Sequence, residues 1–347
     1  MKRLGIATPI IQAPMAGVTM PALAAVVSNA GGLGSLGVGT MNAEAVRKAI
    51  RETRALTDKP FNINVFWHSP ARADAALEQA WLDWLAPVFA QFDAKPPQAL
   101  SEIYTSFVDE AMLKMFAEEK PAVVSFHFGL PSKAYIDALR GAGITLIASA
   151  TNLREAQQVA DAGLDAIVAQ GIEAGGYRGV FDSTTDDDGL GVFAFTRLIA
   201  MRFDVPVIAA AQLGTAFVPC TETSIDAGYR RAILSEAANS TTFTAAISGR
   251  VARSLANKFT ALGWHDDTPA SPAYPSPAYP ITYDAGKALH AAAKAKGKFG
   301  YGTQWAGQTA ALAREMPAAE LMAKLRAELQ ASIKGLQRAA ASLMCTQ

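Results

Sequence analysis

Short runs of β-branched and apolar residues alternate along this chain with longer stretches of helical periodicity, and this rhythm constrains the fold most. Parallel strands need a crossover of a dozen or more residues, usually a helix, whereas antiparallel strands can be joined by a tight turn. The alternation begins at Ile10 and continues past residue 200. It predicts an α/β fold of the TIM type, a (β/α) barrel of parallel strands enclosed by helices.

The predicted strands share a short apolar run bounded by turn residues. They are 10–13, 33–37, 61–66, 122–127, 145–149, 166–170, 205–210 and 212–217. Two helices carry local start signals: Thr19 is a candidate N-cap followed by Pro21, and Asn42 is a candidate N-cap for a helix through Arg51. The chain from about 70 to 119 is longer than a crossover needs, so it predicts a helical insertion that covers the barrel mouth.

The composition changes near residue 262, which predicts a domain boundary. Residues 269–280 repeat Ser, Pro, Ala and Tyr, and helical periodicity follows from Asp284 to the end. We therefore expect a barrel domain over 1–262, and a Pro-rich linker with an additional helical region over 263–347 as a cap over the active site. The linker is equally compatible with a plain surface loop and with a segment that covers substrate.

One crossover is missing from the repeat. The run 205–210 passes through Ala211 directly into 212–217, without a turn or a helix. Two parallel neighbours cannot be joined by one residue. Either both runs form one long strand in a barrel of fewer units, which we favour, or the region packs irregularly. The chain thus lacks one β/α unit near residues 210–212, where the last two loops of such barrels usually hold phosphate.

The charge balance and the cysteines exclude several classes of function. Lys and Arg together number 31, as do Asp and Glu, so no basic field is available for a nucleic acid. Cys220 and Cys345 lack any metal-ligand spacing, which predicts no metal site and fits a reducing cytoplasm. No apolar run approaches the roughly 20 residues of a membrane helix, so we expect no membrane partner.

Polar and small residues follow several predicted strands. Gln12 and Met15 lie where the first strand ends, which is either an active-site position or an ordinary strand exit. The glycines of 31–37 admit a close approach by a planar ring or serve barrel packing. Asn62 and Asn64 alternate along one strand, so both amides can point inward towards a polar ligand.

Two later segments carry the strongest local signals. His127 ends a predicted strand and shares a face with Ser125, which directs it to the barrel mouth, although a buried histidine bonded to backbone is the alternative. The segment 169–179, at the end of the predicted strand 166–170, supplies Gln170, Gly175 and Gly176. Its backbone can wrap a phosphate or the pyrimidine edge of a flavin.

Seven segments in order then resemble one family. They are QAPMAG, GGLGSLG, PFNINV, SFHFG, AQGIEAGG, QLGTAF and YPITYDAGK, and the likeness runs from Ile10 to Gln308. Together they are similar to the class I nitronate monooxygenases, also called 2-nitropropane dioxygenases. The resemblance implies an FMN enzyme in which a nitronate gives one electron to the flavin and O2 completes its oxidation to a carbonyl compound and nitrite.

The resemblance also implies roles for particular residues. The implied FMN contacts are Met15, Asn64, Gln170, Gly175, Gly176, Gln212, Leu213, Gly214 and Thr215. The implied catalytic positions are Tyr177 and His127, and the implied substrate contacts are Tyr279, Tyr283 and Lys287. Nitronate or nitroalkane and O2 are the expected small-molecule partners.

The chain departs from the family pattern in two places. The family has a histidine at position 177 as the base that deprotonates a neutral nitroalkane. A tyrosine has a pKa near 10 and is about a thousandth ionised at neutral pH, so Tyr177 predicts a preference for preformed nitronate and a role as hydrogen-bond donor. Relatives also carry about 20 more residues of turn, helix and strand between 210 and 212, the length of a crossover.

Two other functions fit the same residues. A related FMN barrel could take hydride from NAD(P)H, as quinone reductases and enoyl reductases do. If the missing unit removed the backbone N–H groups that bind phosphate, the chain would be a non-catalytic remnant of the barrel that no longer binds flavin.

Overall fold

Parallel strands dominate the chain, as the alternating pattern predicts. The computed structural model describes residues 1–104, 109–183, 187–209, 212–262 and 276–344. The strands in these ranges are β1 (Ile11–Gln12), β2 (Gly34–Gly37), β3 (Phe61–Phe66), β4 (Val123–His127), β5 (Thr145–Ala150), β6 (Ala166–Ala169), β7 (Gly176–Tyr177), β8 (Val207–Ile208), β9 (Gln212–Leu213), β10 (Thr241–Thr244) and β11 (Ala252–Leu255). Six of them form one parallel sheet in the order β2-β3-β4-β5-β6-β8.

Helices follow most of these strands. The α-helices in the described ranges are α1 (Pro21–Asn29), α2 (Ala43–Arg54), α3 (Ala75–Ala90), α4 (Glu110–Glu119), α5 (Lys133–Gly141), α6 (Leu153–Asp161), α7 (Val192–Ala200), α8 (Ala227–Ile233), α9 (Lys258–Ala261), α10 (Ile281–Ala295) and α11 (Ala318–Met344). Short 3-10 helices span Lys2–Leu4, Thr215–Phe217, Glu236–Asn239 and Ala310–Leu312.

The two predicted helix starts had different outcomes. The side chain of Asn42 accepts a hydrogen bond from the Ala45 N–H at 2.9 Å, which confirms it as the N-cap of α2. The prediction for Thr19 is wrong, because the N-cap of α1 is Met20, with Pro21 as the first helical residue. The Thr19 hydroxyl instead accepts a hydrogen bond from Gln12 Nε2 at 3.0 Å, so its oxygen is not available to a helix end.

The sheet curls, and one part of its inner face is apolar, whereas Asn62, Asn64 and Ser125 make another part polar. β1 joins the edge of the six-stranded sheet through a bridge between Ile11 and Leu33. A flat sheet with strands about 4.8 Å apart would place β1 and β8 about 29 Å from each other. Ile11 and Ile208, from these two strands, belong to one buried cluster with Leu33, Val123, Ile147, Ala166 and Val168. The contact shows that the parallel sheet is strongly curved, and in the described ranges no strand pairing joins β8 to β9.

The favoured interpretation of 205–217 as one long strand is wrong. Val207 and Ile208 pair with Ile167 and Val168 of β6, whereas Gln212 and Leu213 pair with Ile11 and Gln12 of β1. The two runs therefore pair with different strands, and the second turns into the 3-10 helix Thr215–Phe217. The second run is extended over only two residues before this turn, and these two residues satisfy the edge of β1. The junction residues 210–211 lie outside the described ranges.

A small antiparallel sheet was not predicted from the sequence. Its order is β10-β11-β7, and Tyr177 in β7 pairs with Ala252 in β11. Trp305 forms a bridge with Ser254 of β11. This sheet brings the loop after β6 against the segments around residues 250 and 305, which are remote in sequence.

The helical insertion and the C-terminal helices pack in two separate places. Trp81 and Leu85 of α3 belong to one buried cluster with Leu289 of α10. Leu321 of α11 packs instead with Leu23 of α1. Residues 105–108 of the insertion and 263–275 of the linker lie outside the described ranges, and the division at residue 262 stays a prediction. Within those ranges, no helix is long and apolar enough to cross a membrane.

Candidate active site

Polar side chains from three neighbouring strands meet where those strands end. Asn64 of β3 lies opposite Ser125 of β4, and its Nδ2 donates to the Ser125 Oγ at 2.9 Å. His127, at the end of β4, has its Nδ1 2.6 Å from the hydroxyl of Ser149 on β5. The structure thus places two of the predicted site residues, Asn64 and His127, on the side of the sheet where barrel enzymes hold their ligands.

The His127 imidazole is held neutral. Burial, followed by the nearby positive charge of Arg250, lowers the pKa of His127 to about 3. The ring therefore carries no charge at any ordinary pH. It can offer one donor and one acceptor nitrogen, but it cannot serve as a cationic acid.

The loop that follows β6 is fastened by Gln170. The amide Nε2 donates to the Tyr177 carbonyl at 2.9 Å, and Oε1 accepts from the Gly179 N–H at 2.7 Å. Arg178 adds a second anchor, because its Nη1 donates to the Gly171 carbonyl at 2.7 Å while Nη2 pairs with Asp187 at 3.1 Å. Gln170 therefore sets the position of Tyr177, and its second amide hydrogen remains compatible with a ligand contact.

Replacing Gly179 by alanine tests this packing. A Cβ at position 179 would lie 2.7 Å from His127 Cε1 and 3.3 Å from Gln170 Oε1, so one of these side chains must move. We expect a loss of about 1–3 kcal/mol in the free energy of unfolding, measured by urea denaturation. Gly141→Ala is the control, since nothing lies within 4 Å of a Cβ there. Equal stability of the two variants would contradict the tight contact between the loop and His127.

Tyr177 lies in an aromatic cluster. Its ring centroid is 5.4 Å from those of Tyr279 and Trp305, and 5.6 Å from that of Phe128. The hydroxyl is buried without a hydrogen-bond partner of good geometry. Burial, and next the neighbouring Tyr279, raise the pKa of Tyr177 well above its usual value. The phenol stays protonated and has a donor hydrogen available for an acceptor that enters the cluster.

A second group of predicted residues meets around Gly307. The Gly307 N–H donates to Thr215 Oγ1 at 3.0 Å, and a Cβ on Gly175 would lie 2.4 Å from the same nitrogen. A Cβ on Gly214 would lie 3.8 Å from Met15 Sδ. Thus Met15, Gly175, Gly214 and Thr215 share one neighbourhood. The remaining predicted cofactor residues lie in strands: Gly176 in β7, and Gln212 and Leu213 in β9.

One of the predicted substrate residues is buried beside Tyr177, and the other two lie farther towards the surface. Tyr279 is buried and contacts Tyr177, as described. Lys287 is exposed, and its Nζ donates to the Tyr104 hydroxyl at 2.6 Å. The Tyr283 ring centroid lies 5.6 Å from that of Tyr104. Tyr104, in the insertion, is a residue that the sequence analysis missed, because nothing in its local pattern indicates contact with residue 287.

Three further residues around the cluster were missed. Phe128 follows His127 and has its ring centroid 4.5 Å from the imidazole, and Arg250 lies over that phenyl ring. Trp305 contacts Tyr177 from the segment near Gly307. Only the motif around Phe128 gave a sequence signal. Arg250 and Trp305 reach the site through the antiparallel sheet, which no periodicity predicted.

The described residues include polar groups of the kind that bind the edge of a flavin ring. Such a planar, polar-rimmed ring needs amide or backbone contacts at its edge and room at its faces. Asn62 Oδ1 is buried without a hydrogen-bond partner, and the Tyr177 hydroxyl is buried without one of good geometry although Ser248 and Tyr279 lie near it, so polar groups are available. A Cβ on Gly37 would lie 2.6 Å from the Ala16 nitrogen, which shows how closely the backbone packs behind this region.

Comparison with known proteins identifies the family. The sequence pattern described as nitronate monooxygenase matches residues 1–211 and 209–328. The chain belongs to the nitronate monooxygenase family. The relative named nitronate monooxygenase from Paraburkholderia phytofirmans is 67% identical over 356 residues, which covers 96% of each chain. The relative of the same name from Pseudomonas aeruginosa is 50% identical and covers 94% of this chain and 97% of its own.

Solved structures agree with this membership. A nitroalkane oxidase from Streptomyces ansochromogenes superposes with a TM-score of 0.84 at 32% identity, covering 95% of this chain and 98% of its own. FabK from Thermotoga maritima superposes with a TM-score of 0.68 at 25% identity, covering 97% of each chain. The α/β fold with its parallel sheet is therefore shared over almost the whole length of this family member.

The family match is interrupted in one place. Its two segments meet at residues 209–211, between β8 and β9. The Paraburkholderia phytofirmans alignment spans 356 positions but covers only 96% of 347 residues, so roughly 23 positions have no counterpart in this chain. The Pseudomonas aeruginosa alignment leaves roughly 21 such positions.

Proposed function

We propose that this chain is an FMN-dependent nitronate monooxygenase that oxidises alkyl nitronates with O2 to carbonyl compounds and nitrite. The observation that carries the proposal is the meeting of His127, Gln170, Tyr177 and Tyr279 at the ends of β4 to β6 in a member of this family. Tyr177 supports nitronate as the better substrate, because a protonated phenol cannot take the α-proton of a neutral nitroalkane.

The overall reaction needs no external reductant. Two nitronate anions and one O2 balance two carbonyl compounds and two nitrite anions in atoms and in charge. FMN, when bound, supplies the one-electron chemistry that links the nitronate to O2. This balance separates the proposed reaction from that of a reductase, which must consume NAD(P)H.

The chain's own residues would bind, orient and shield the substrate. Asn64, Gln170, Gly175 and the 212–215 segment are the proposed FMN contacts, together with Met15 and Gly176. Tyr177 would donate its hydroxyl hydrogen to a nitro oxygen. Neutral His127 would hold its position through Ser149, and Tyr279 would exclude water from the aromatic cluster. Tyr283 and Lys287 would line the outer approach.

We further propose that the fold is a TIM-type barrel that lacks the crossover between β8 and β9. Three observations support this: only residues 209–211 separate the two strands, the family match breaks there, and roughly 23 positions of a 67% identical relative are unmatched. Three residues cannot provide the dozen or more that a parallel crossover requires. The backbone of that crossover would otherwise contribute N–H groups that bind the FMN phosphate.

Flavin binding is the first test. Purified protein should show a flavin absorption band, or should acquire one together with a higher melting temperature when FMN is added. The second arm measures nitrite formed from ethylnitronate in air and NADH consumed with a quinone. Nitrite without NADH consumption is expected. Rapid NADH oxidation without nitrite would establish the reductase alternative, and no FMN response at all would establish the non-catalytic remnant.

A further inference from the structure

Arg250 is a buried cation without an anionic partner. It is 6% exposed, its Nε is buried with no hydrogen-bond partner, and its Nη2 donates only to the Val180 carbonyl. No ion pair among the described residues includes it. Arg178, which is 1% exposed, shows the usual arrangement, since it pairs with Asp187. Buried charges are normally compensated in this way, so Arg250 calls for a partner that enters from outside.

The guanidinium rests on an aromatic platform. Its Cζ lies 3.8 Å from the ring centroid of Phe128. Phe128 has a φ of +77°, a left-handed conformation that a bulky residue seldom adopts. Strained backbone of this kind persists where the surroundings hold a functional group in place. The same phenyl ring contacts Tyr177 and Tyr279, so the platform connects Arg250 to the proposed active site.

The positive charge of Arg250 acts on the histidines of the aromatic cluster. It contributes to the lowered pKa values of His127 and His68. Burial lowers the pKa of Arg250 itself to about 10, which leaves the guanidinium charged at neutral pH. Glu155 is an acidic residue whose field reaches Arg250, and its two oxygens accept hydrogen bonds from the Phe181 N–H at 2.8 Å and the Thr151 N–H at 2.7 Å.

We propose that Arg250 is the anion-binding residue of this site and that it recognises the anionic nitro group of a nitronate. This inference rests on the proposed function. A guanidinium matches two coplanar oxygens with two parallel N–H groups, as it does for a carboxylate. A neutral nitroalkane carries no net charge and gains less from the contact. Arg250 and the Tyr177 hydroxyl would thus both favour nitronate, one by charge and the other by hydrogen bonding.

The test compares two variants with a matched control. Arg250→Met removes the charge, and Arg250→Lys keeps the charge but loses the planar fork. Arg231→Met is the control, because Arg231 is exposed and also lies over a phenyl ring, that of Phe299 at 5.0 Å. In Arg250→Met we expect KM for ethylnitronate to rise about 10- to 100-fold, the range for a charged hydrogen bond. Arg250→Lys should be intermediate, and Arg231→Met unchanged.

Nitrate binding supplies a readout that is independent of turnover. Calorimetry should show nitrate binding to the wild-type holoprotein, weakened by a similar factor in Arg250→Met, and nitrate should inhibit competitively against nitronate. Nitrate that inhibits without competing would overturn the inference even if neither Arg250 variant folds. An unchanged KM in folded Arg250→Met would also overturn it, while leaving the proposed function intact.

Two further outcomes separate the possible anions. If folded Arg250→Met loses FMN affinity instead of nitronate affinity, the partner of Arg250 is the FMN phosphate and the inference is wrong. If the wild type makes no nitrite but binds nitrate in an Arg250-dependent manner, the anion site stands and the proposed function falls.

Discussion

Tyr177→His is expected to raise kcat/KM for neutral nitroethane by about 100-fold or more, the usual contribution of a positioned general base, while kcat/KM for ethylnitronate changes by less than about threefold. Burial keeps the Tyr177 phenol protonated, so the wild type has no base at this position. An imidazole has an ordinary pKa near 6.5, close to the working pH, so most of it is neutral there. A neutral imidazole can accept the α-proton.

The control for this variant is Tyr177→Phe. It removes the hydroxyl and adds no base, so it should slow nitronate oxidation modestly and leave nitroethane turnover at its low level. Initial rates of nitrite formation, measured with nitroethane and with preformed ethylnitronate, distinguish the two effects. Equal gains on both substrates in Tyr177→His would show that position 177 acts through packing, and the proposed proton-transfer role would be wrong.

The regular part of the fold followed from periodicity. β3 was predicted with its observed bounds, 61–66, because apolar residues alternate there with Asn62 and Asn64 and a proline precedes the run. The Asn42 cap was predicted because its side chain acts on its own chain neighbours. Thr19 failed for the opposite reason, since a remote side chain, Gln12, takes its hydroxyl. Local signals are reliable where the competing partners are also local.

The site was predictable only in part. His127, Gln170 and Tyr177 stand at strand ends or in a Gly-rich loop, where a parallel sheet gathers its functional groups, so strand order brings them together. Arg250 and Trp305 depend on an antiparallel sheet whose first strand is two residues long. A strand of that length carries no detectable alternation. The pairing of Ile11 with Gln212 was likewise invisible, because strand register has no marker in a single sequence.

Adding the crossover that we propose is missing between β8 and β9 is expected to have the largest effect on FMN affinity and stability. The graft inserts at 209–211, where the family match breaks, the residues that the Paraburkholderia phytofirmans relative carries between the segments matching β8 and β9. A returned helix buries apolar surface, and the returned loop adds backbone donors for phosphate. We expect the free energy of unfolding to rise by several kcal/mol, a large part of a domain's stability. The FMN dissociation constant should fall by about 100-fold, as two additional charged hydrogen bonds would produce.

A flexible Gly/Ser insert of equal length at 209–211 is the control for this graft. It relaxes the connection between β8 and β9 but supplies no apolar face and no ordered loop. Urea denaturation and fluorescence titration with FMN measure both quantities on each variant. If the flexible insert matches the graft, the defect lies in the short connection alone. If neither insert changes FMN affinity, the phosphate is held elsewhere, and the 209–211 junction has no role in cofactor binding. A graft that raises affinity more than stability would place the lost function in the loop, because the helix contributes mainly through its buried face.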